Sequence, residues 1–217
     1  MSGQMKTFVF DADGVICVGG SFSVFLEREH QIPRERLAPF FAGPFLECVL
    51  GRRDLKEVIA PYAVEWGWRR SVEDLLGLWF RCEHIISAEA VECVRSLRKK
   101  GHVCVLGTNQ EKYRIGYLRR EMRLAAEFDQ VFASCELGAA KPSTEFFFRI
   151  QDHLNVPSGS LCLVDDSEKN VAAARIAGWR SVWYRGLNDL AAIEEEANQA
   201  LEPTAPNGRG YRTFGKR

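Results

Sequence analysis

Five short apolar runs, each bounded by turn residues, constrain this chain more than anything else. They are Thr7 to Phe10, Val103 to Leu106, Gln130 to Ala133, Leu161 to Val164 and Ser181 to Tyr184. Rich in Val, Phe and Leu and too short for helices, they read as buried strands. Helix-like stretches alternate with the last four: Glu111 to Met122, Thr144 to Leu154 and Glu168 to Ala177. Alternation of this kind predicts a parallel sheet with helices on both faces, a Rossmann-like α/β core. Ser167 stands where it can cap the Glu168 helix, and Gly178 stands where a left-handed residue would end it.

The stretch from Val15 to Ala90 has no strand alternation and several amphipathic helical patterns, which predicts a small all-helical insert. Ser71-Val72-Glu73-Asp74 resembles a capping box with Asp in the fourth place, opening a helix through Trp79 and Phe80. Ten of the chain's 24 aromatic residues fall here: Phe22, Phe25, Phe40, Phe41, Phe45, Tyr62, Trp66, Trp68, Trp79 and Phe80. They are expected to form the insert's own core, with one or two facing a cleft. Ser87 caps a further helix running to Lys100, closed by Gly101. The expected organisation is therefore a core from 1–14 and 91–200, an insert over 15–90 and a flexible tail over 201–217, where Pro, Gly and basic residues show no apolar period.

Composition excludes several classes. Lys plus Arg and Asp plus Glu are both 29, so the net charge is zero, whereas a protein that neutralises nucleic-acid phosphates is usually basic. Nucleic acid is not expected as a partner. No run reaches the roughly 18 apolar residues of a membrane span, and the N-terminal apolar run is too short for a signal peptide, so no membrane partner is expected and a cytoplasmic location is the default. Seven scattered cysteines without a C-x-x-C pair fit neither a zinc site nor a disulfide framework, and read as buried thiols. His30, His84, His102 and His153 have no ligand spacing and are expected to be structural or exposed.

Ligands of open α/β sheets bind beyond the carboxyl ends of the strands, and here those ends are polar. The first run ends in Asp11-Ala12-Asp13-Gly14, the second in Gly107-Thr108-Asn109 and the fourth in Asp165-Asp166-Ser167. Four carboxylates brought to one sheet edge repel unless a cation lies among them, and an all-oxygen set favours a hard ion such as Mg²⁺. A strand-end Asp can act as nucleophile toward phosphorus, and a second carboxyl two residues on can serve as general acid. Asp11 and Asp13 have that spacing. Lys141, in Gly138-Ala139-Ala140-Lys141-Pro142, precedes a helix and supplies the cation a phosphoryl group needs.

These motifs resemble the haloacid dehalogenase-like hydrolases, in the subgroup with a helical cap inserted after the first motif. FDADGVI (Phe10 to Ile16), the Thr of LGTN (Leu106 to Asn109), Lys141 of GAAKP and VDDS (Val164 to Ser167) match the family's four motifs in order. Asp11 and Thr108 are 97 residues apart, Thr108 and Lys141 33, and Lys141 and Asp165 24, intervals that accommodate a cap and the intervening helices and strands. The resemblance implies Asp11 as nucleophile and metal ligand, and Asp13 as acid/base with its backbone carbonyl on Mg²⁺. It implies Thr108 and Asn109 as phosphate hydrogen-bond donors, Lys141 as the clamp, and Asp165 and Asp166 as metal-site carboxylates, leaving open which of these two touches the ion.

The resemblance also implies, from the Asp at position 13, phosphate-ester chemistry rather than dehalogenation, since the family's dehalogenases usually lack an Asp there. The insert carries nine basic and eleven acidic residues, so a neutral, aromatic lid over a small phosphorylated metabolite is expected. Arg52 and Arg53 either meet a substrate anion or form a solvated face. Gly19 and Gly20 are candidate hinge positions. A phosphatase is the expected activity, a phosphomutase the alternative, and a non-catalytic binding or regulatory protein a further one.

Overall fold

In the computed structural model, residues 5–199 are described; the tail over 201–217 lies outside them. The strands are β1 (Thr7–Phe10), β2 (Val103–Thr108), β3 (Gln130–Ala133), β4 (Leu161–Asp165) and β5 (Arg180–Trp183). They form one all-parallel sheet in the order β3-β2-β1-β4-β5. The expected strands are all present, with β2 two residues and β4 one residue longer than their apolar runs and β5 displaced by one residue. β2 continues through Gly107 and Thr108 because both still pair with β3, at Phe132 and Ala133.

Side chains of the sheet alternate between two cores, as the pleat requires. Phe8, Phe10, Cys104, Leu106, Cys162 and Val164 join one apolar cluster, and Val9, Val105, Leu161 and Leu163 another. On the first face lie α6 (Ala88–Lys99), α7 (Lys112–Arg120), α8 (Leu124–Glu127) and α12 (Leu190–Asn198); on the second lie α10 (Thr144–Leu154) and α11 (Glu168–Ile176). A short α9 (Ser134–Leu137) follows β3.

Between β1 and α6 lie α1 (Phe22–His30), α2 (Arg34–Ala42), α3 (Pro44–Val49), α4 (Leu55–Glu65) and α5 (Val72–Cys82). Their apolar faces enclose a third cluster, which includes Phe22, Phe40, Trp66, Trp68, Trp79 and Phe80, with Phe41, Phe45 and Tyr62 packed against it. Val15, Ile16, Cys17 and Ala90, at the two ends of the 15–90 stretch, pack in the first sheet cluster instead. Ser71 begins α5 as its capping box suggests: its Oγ accepts from the Asp74 N–H at 3.0 Å and donates to Asp74 Oδ2 at 2.8 Å. Ser87 Oγ likewise accepts from the Ala90 N–H at 3.2 Å.

The chain enters and leaves this helical layer through two segments that pair with each other. Val18 N–H donates to Ile85 O at 2.8 Å, Gly20 N–H to Cys82 O at 3.1 Å and Ser87 N–H to Ile16 O at 2.9 Å. Gly19 permits the close approach, since a Cβ there would lie 2.4 Å from the Glu83 carbonyl carbon. The layer touches the core again at α9, where buried Ser134 Oγ donates to Val49 O at 2.7 Å.

One expected cap is absent. Ser167 occupies the N-cap position of α11 but its side chain makes no capping bond. Asp165 Oδ1 takes the Ser167 N–H at 2.9 Å and the Asn170 side-chain amide at 2.9 Å, so a carboxyl oxygen two residues earlier orders this turn. Gly178 has φ +85°, as its position after α11 predicts. All seven cysteines are free thiols, five of them buried. No helix among the described residues is long and apolar enough to cross a membrane.

Candidate active site

Strand register builds the centre of the site. Phe10 pairs with Val164, so Asp11 and Asp165 reach the carboxyl edge side by side from adjacent strands. This is also the place where strand order reverses, with β2 and β3 on one side of β1 and β4 and β5 on the other. Oxygens of Asp11, Asp165 and Asp166 all lie within 4.8 Å of one another, close enough to share one ion. Asp165 is fully buried, Asp11 nearly so, and Asp166 is exposed.

Lys141 arrives from the segment before α10 and places its Nζ 2.8 Å from Asp11 Oδ2 and 2.7 Å from Asp165 Oδ2. Burial pushes the Asp11 carboxyl up to about 7; Lys141 offsets part of that rise and the Asp165 carboxylate adds to it. Burial alone would lower the Lys141 ammonium, but the two carboxylates outweigh it and hold this pKa above its ordinary value. Asp166 is raised by desolvation and by its neighbour Asp165. The centre thus brings together more carboxylates than its one lysine balances, which is the electrostatic condition for cation binding.

Thr108 ends β2, almost fully buried. Asn109 is turned toward the backbone of Lys141: its Nδ2 donates to Lys141 O at 2.8 Å and its Oδ1 accepts from Lys141 N–H at 2.9 Å. One N–H and the oxygen of its side-chain amide are therefore engaged in positioning the lysine, and the second N–H of Nδ2 is left to donate elsewhere. Asp13 stands apart from the metal-type triad, its side chain half exposed, with Oδ2 accepting from Gln110 Nε2 at 2.6 Å.

Two neighbours of Asp13 escaped the sequence reading. Gln110 is buried and follows the second motif directly, while Arg114, buried on α7, brings its Nη2 to 3.6 Å from Asp13 Oδ1 and 3.5 Å from Glu83 Oε2. No local signal marked them: Gln110 precedes Glu111, the N-cap of α7, and Arg114 lies in the first turn of that helix. Burial pushes Glu83 up to about 7, with Arg114 working against it.

A 570 Å³ cleft opens beside the centre, lined among others by Gly14, Asp166, Trp183 and Arg185. Arg52 and Arg53 line a separate 310 Å³ cleft with Asp54, Glu111 and Lys112, and Arg52 is paired with Glu47 at 3.1 Å. The histidines have structural partners or ring contacts: His84 Nδ1 and Tyr117 Oη are 2.8 Å apart, His102 Nδ1 accepts from the Lys6 N–H, and His30 and His153 pack edge-on against Trp68 and Phe132.

A family model of haloacid dehalogenase-like hydrolases matches residues 5–178. The chain belongs to this family. Among solved structures, a predicted HAD-like family hydrolase from Porphyromonas gingivalis superposes with a TM-score of 0.75 at 22% identity, covering 90% of this chain and 98% of that one. A HAD family enzyme of Bacteroides thetaiotaomicron, in complex with magnesium and inorganic phosphate, gives 0.70 at 20% identity over 82% of this chain and 93% of that one. Phosphoglycolate phosphatase of Pseudomonas fluorescens is 27% identical over 161 residues, 74% of this chain and 57% of that protein. The chain spans between 16% and 57% of the length of the curated relatives it matches.

Proposed function

We propose that this HAD-like hydrolase is a Mg²⁺-dependent phosphatase that hydrolyses a small phosphomonoester, of sugar-phosphate type, through an aspartyl-phosphate on Asp11. The observation that carries the reading is the cluster of Asp11, Asp165 and Asp166 around a common point, with Lys141 bridging two of them. The phosphatase relative and the magnesium and phosphate complex of the structural neighbour support it.

The donor set fits a hard divalent ion, being all oxygen and richer in negative charge than Lys141 can balance. Asp11, Asp165 and Asp166 would hold it, together with the backbone carbonyl of Asp13. Bound Mg²⁺ supplies neutralisation of phosphoryl charge, so that an anionic nucleophile can approach.

The chain's own residues act around that charge. An Asp11 carboxylate oxygen forms the bond to phosphorus as the ester P–O bond breaks, and Asp13 gives its proton to the departing alkoxide. Asp13, now a base, takes a proton from water as that water attacks phosphorus, and the bond to Asp11 breaks to release phosphate. Lys141 screens Asp11 from the phosphoryl oxygens, and Thr108 with the Asn109 segment holds those oxygens. Helices α1–α5, within the 15–90 stretch, serve as a cap that excludes water in the first half of the cycle, with Gly19 and Gly20 at the hinge.

The test is phosphate release from a panel of sugar phosphates and an aryl phosphate, with and without Mg²⁺, for the wild type and Asp11→Asn. Metal-dependent release that disappears in the variant is expected. Isomer formation without phosphate release would replace the phosphatase with a mutase, and no turnover of any kind would reject both.

A further inference from the structure

Arg114 is 3% exposed, yet its Nε and Nη2 have no hydrogen-bond partner. The rest of the side chain is well anchored. Nη1 donates to Phe80 O at 3.3 Å, the guanidinium carbon lies 5.7 Å from the ring centres of Phe80 and Tyr117, and Glu111 caps the start of α7 by accepting the N–H groups of Tyr113 and Arg114. A buried donor without a hydrogen bond is destabilising, so guanidinium nitrogens left without one in a well-packed setting point to a bond made in another state.

Two carboxylates lie just beyond hydrogen-bond reach of the same nitrogen. Nη2 stands 3.6 Å from Asp13 Oδ1 and 3.5 Å from Glu83 Oε2. Glu83 follows the last helix of the cap and belongs to the paired segments joining cap to core; Trp79 Nε1 holds its other oxygen at 2.8 Å. Gln110, just before the N-cap of α7, holds Asp13 Oδ2 at 2.6 Å. A small shift of the linking segments toward either side would let Nη2 close on one of the two carboxylates.

We infer that Arg114 is a positioning residue for Asp13, fixing with Gln110 the carboxyl that protonates the leaving group, and that Glu83 competes for the same Arg114 nitrogen, tying this hold to the position of the cap linker. The inference rests on the role of Asp13 given under the proposed function.

Leaving-group dependence tests it. An alkyl phosphate needs the acid, whereas an aryl phosphate departs with little help, so Asp13→Ala is expected to lose far more activity on the alkyl ester, general acid catalysis contributing about 10²–10⁴-fold. Arg114→Met is expected to lose about tenfold or more in kcat on the alkyl ester and under about threefold on the aryl ester, with Arg114→Lys recovering part of the difference. Glu83→Gln, which leaves the buried cation in place and so tests the same link without emptying the core, is expected to raise alkyl-ester kcat. Equal losses on both esters in Arg114→Met would reduce Arg114 to a packing role, and unchanged or lower alkyl-ester kcat in Glu83→Gln would overturn the competition. If Asp13→Ala itself shows no leaving-group dependence, the acid assignment under the proposed function fails, and with it this use of Arg114.

Discussion

Asp166 occupies the space that a side chain at position 14 would need: a Cβ built on Gly14 would lie 2.1 Å from Asp166 Oδ2. Gly14 also has φ +81°, a left-handed conformation that costs other L-residues about 1–2 kcal/mol. Gly14→Ala therefore displaces one carboxylate of the proposed metal triad. The expected result is a folded protein whose Mg²⁺ concentration for half activation rises about tenfold, equivalent to about 1.4 kcal/mol of binding free energy. Titration calorimetry with Mg²⁺ measures it, and wild-type affinity in the variant would show that Asp166 is dispensable for the ion.

Lys141 is the cation between Asp11 and Asp165, and its loss leaves two buried carboxylates facing each other. Removing one partner of a buried ion pair typically costs about 3–5 kcal/mol. Lys141→Met is expected to abolish phosphate release and to lower the metal-free Tm, while Mg²⁺ raises the Tm of the variant more than that of the wild type, because the ion becomes the chief compensating charge. Melting curves with and without Mg²⁺ decide the matter; a variant that melts like the wild type without metal would refute the charge-balance account.

Asn109 orients the Lys141 backbone by donating and accepting one bond each. Replacing it with Ala removes both bonds without touching the Lys141 side chain, and about tenfold loss of kcat is expected from misplacing a group at the reaction centre. Asn109→Asp keeps the acceptor but loses the donor and adds charge, so it should fall at least as far as Ala. Single-turnover phosphate release compares the two.

The pH dependence of stability follows from Glu83. Its pKa is raised from 4.5 to about 7 in the fold, chiefly by burial, with Arg114 opposing and Asp13 adding to the rise. A carboxyl that binds its proton more tightly when folded gives stability that is fully present below its unfolded pKa and lost as pH rises through the folded value. Wild-type stability should therefore decline from about pH 4.5 to about pH 7 by more than that of Glu83→Gln. Asp11 shifts in the same direction, so the measured quantity is the difference between the two denaturation series. Parallel profiles would mean that Glu83 is not desolvated in solution.

The sheet and the metal-type carboxylates were legible because each depends on local pattern. Four-residue apolar runs ending in Asp locate Asp11 and Asp165, and strand register then makes them neighbours without further instruction. Ser71 and Ser87 were legible for the same reason, since a cap and its target are three residues apart. Ser167 misled because its place at the N-cap does not say that its Oγ will take a helix N–H; here the turn is ordered by Asp165, which accepts the Ser167 N–H and the Asn170 side-chain amide. Gln110 and Arg114 were invisible because their value depends on Asp13, about a hundred positions away in the chain, and nothing in a polar post-strand segment marks which side chain will meet it.

The position of β1 sets a condition on when the site can exist. Its first strand is the middle of the sheet, and both neighbours are made much later, β2 from residue 103 and β4 from residue 161. During synthesis Asp11 emerges early and waits for Asp165 and Asp166, which come almost at the end of the core. A ribosome stalled before residue 165 displays a chain with Asp11 but without the carboxylates that complete the triad, and long-range pairings of this kind form late in folding. Divalent-ion binding at the proposed triad would thus be a certificate of finished topology: a chain that has not closed β4 against β1 lacks the paired carboxylates.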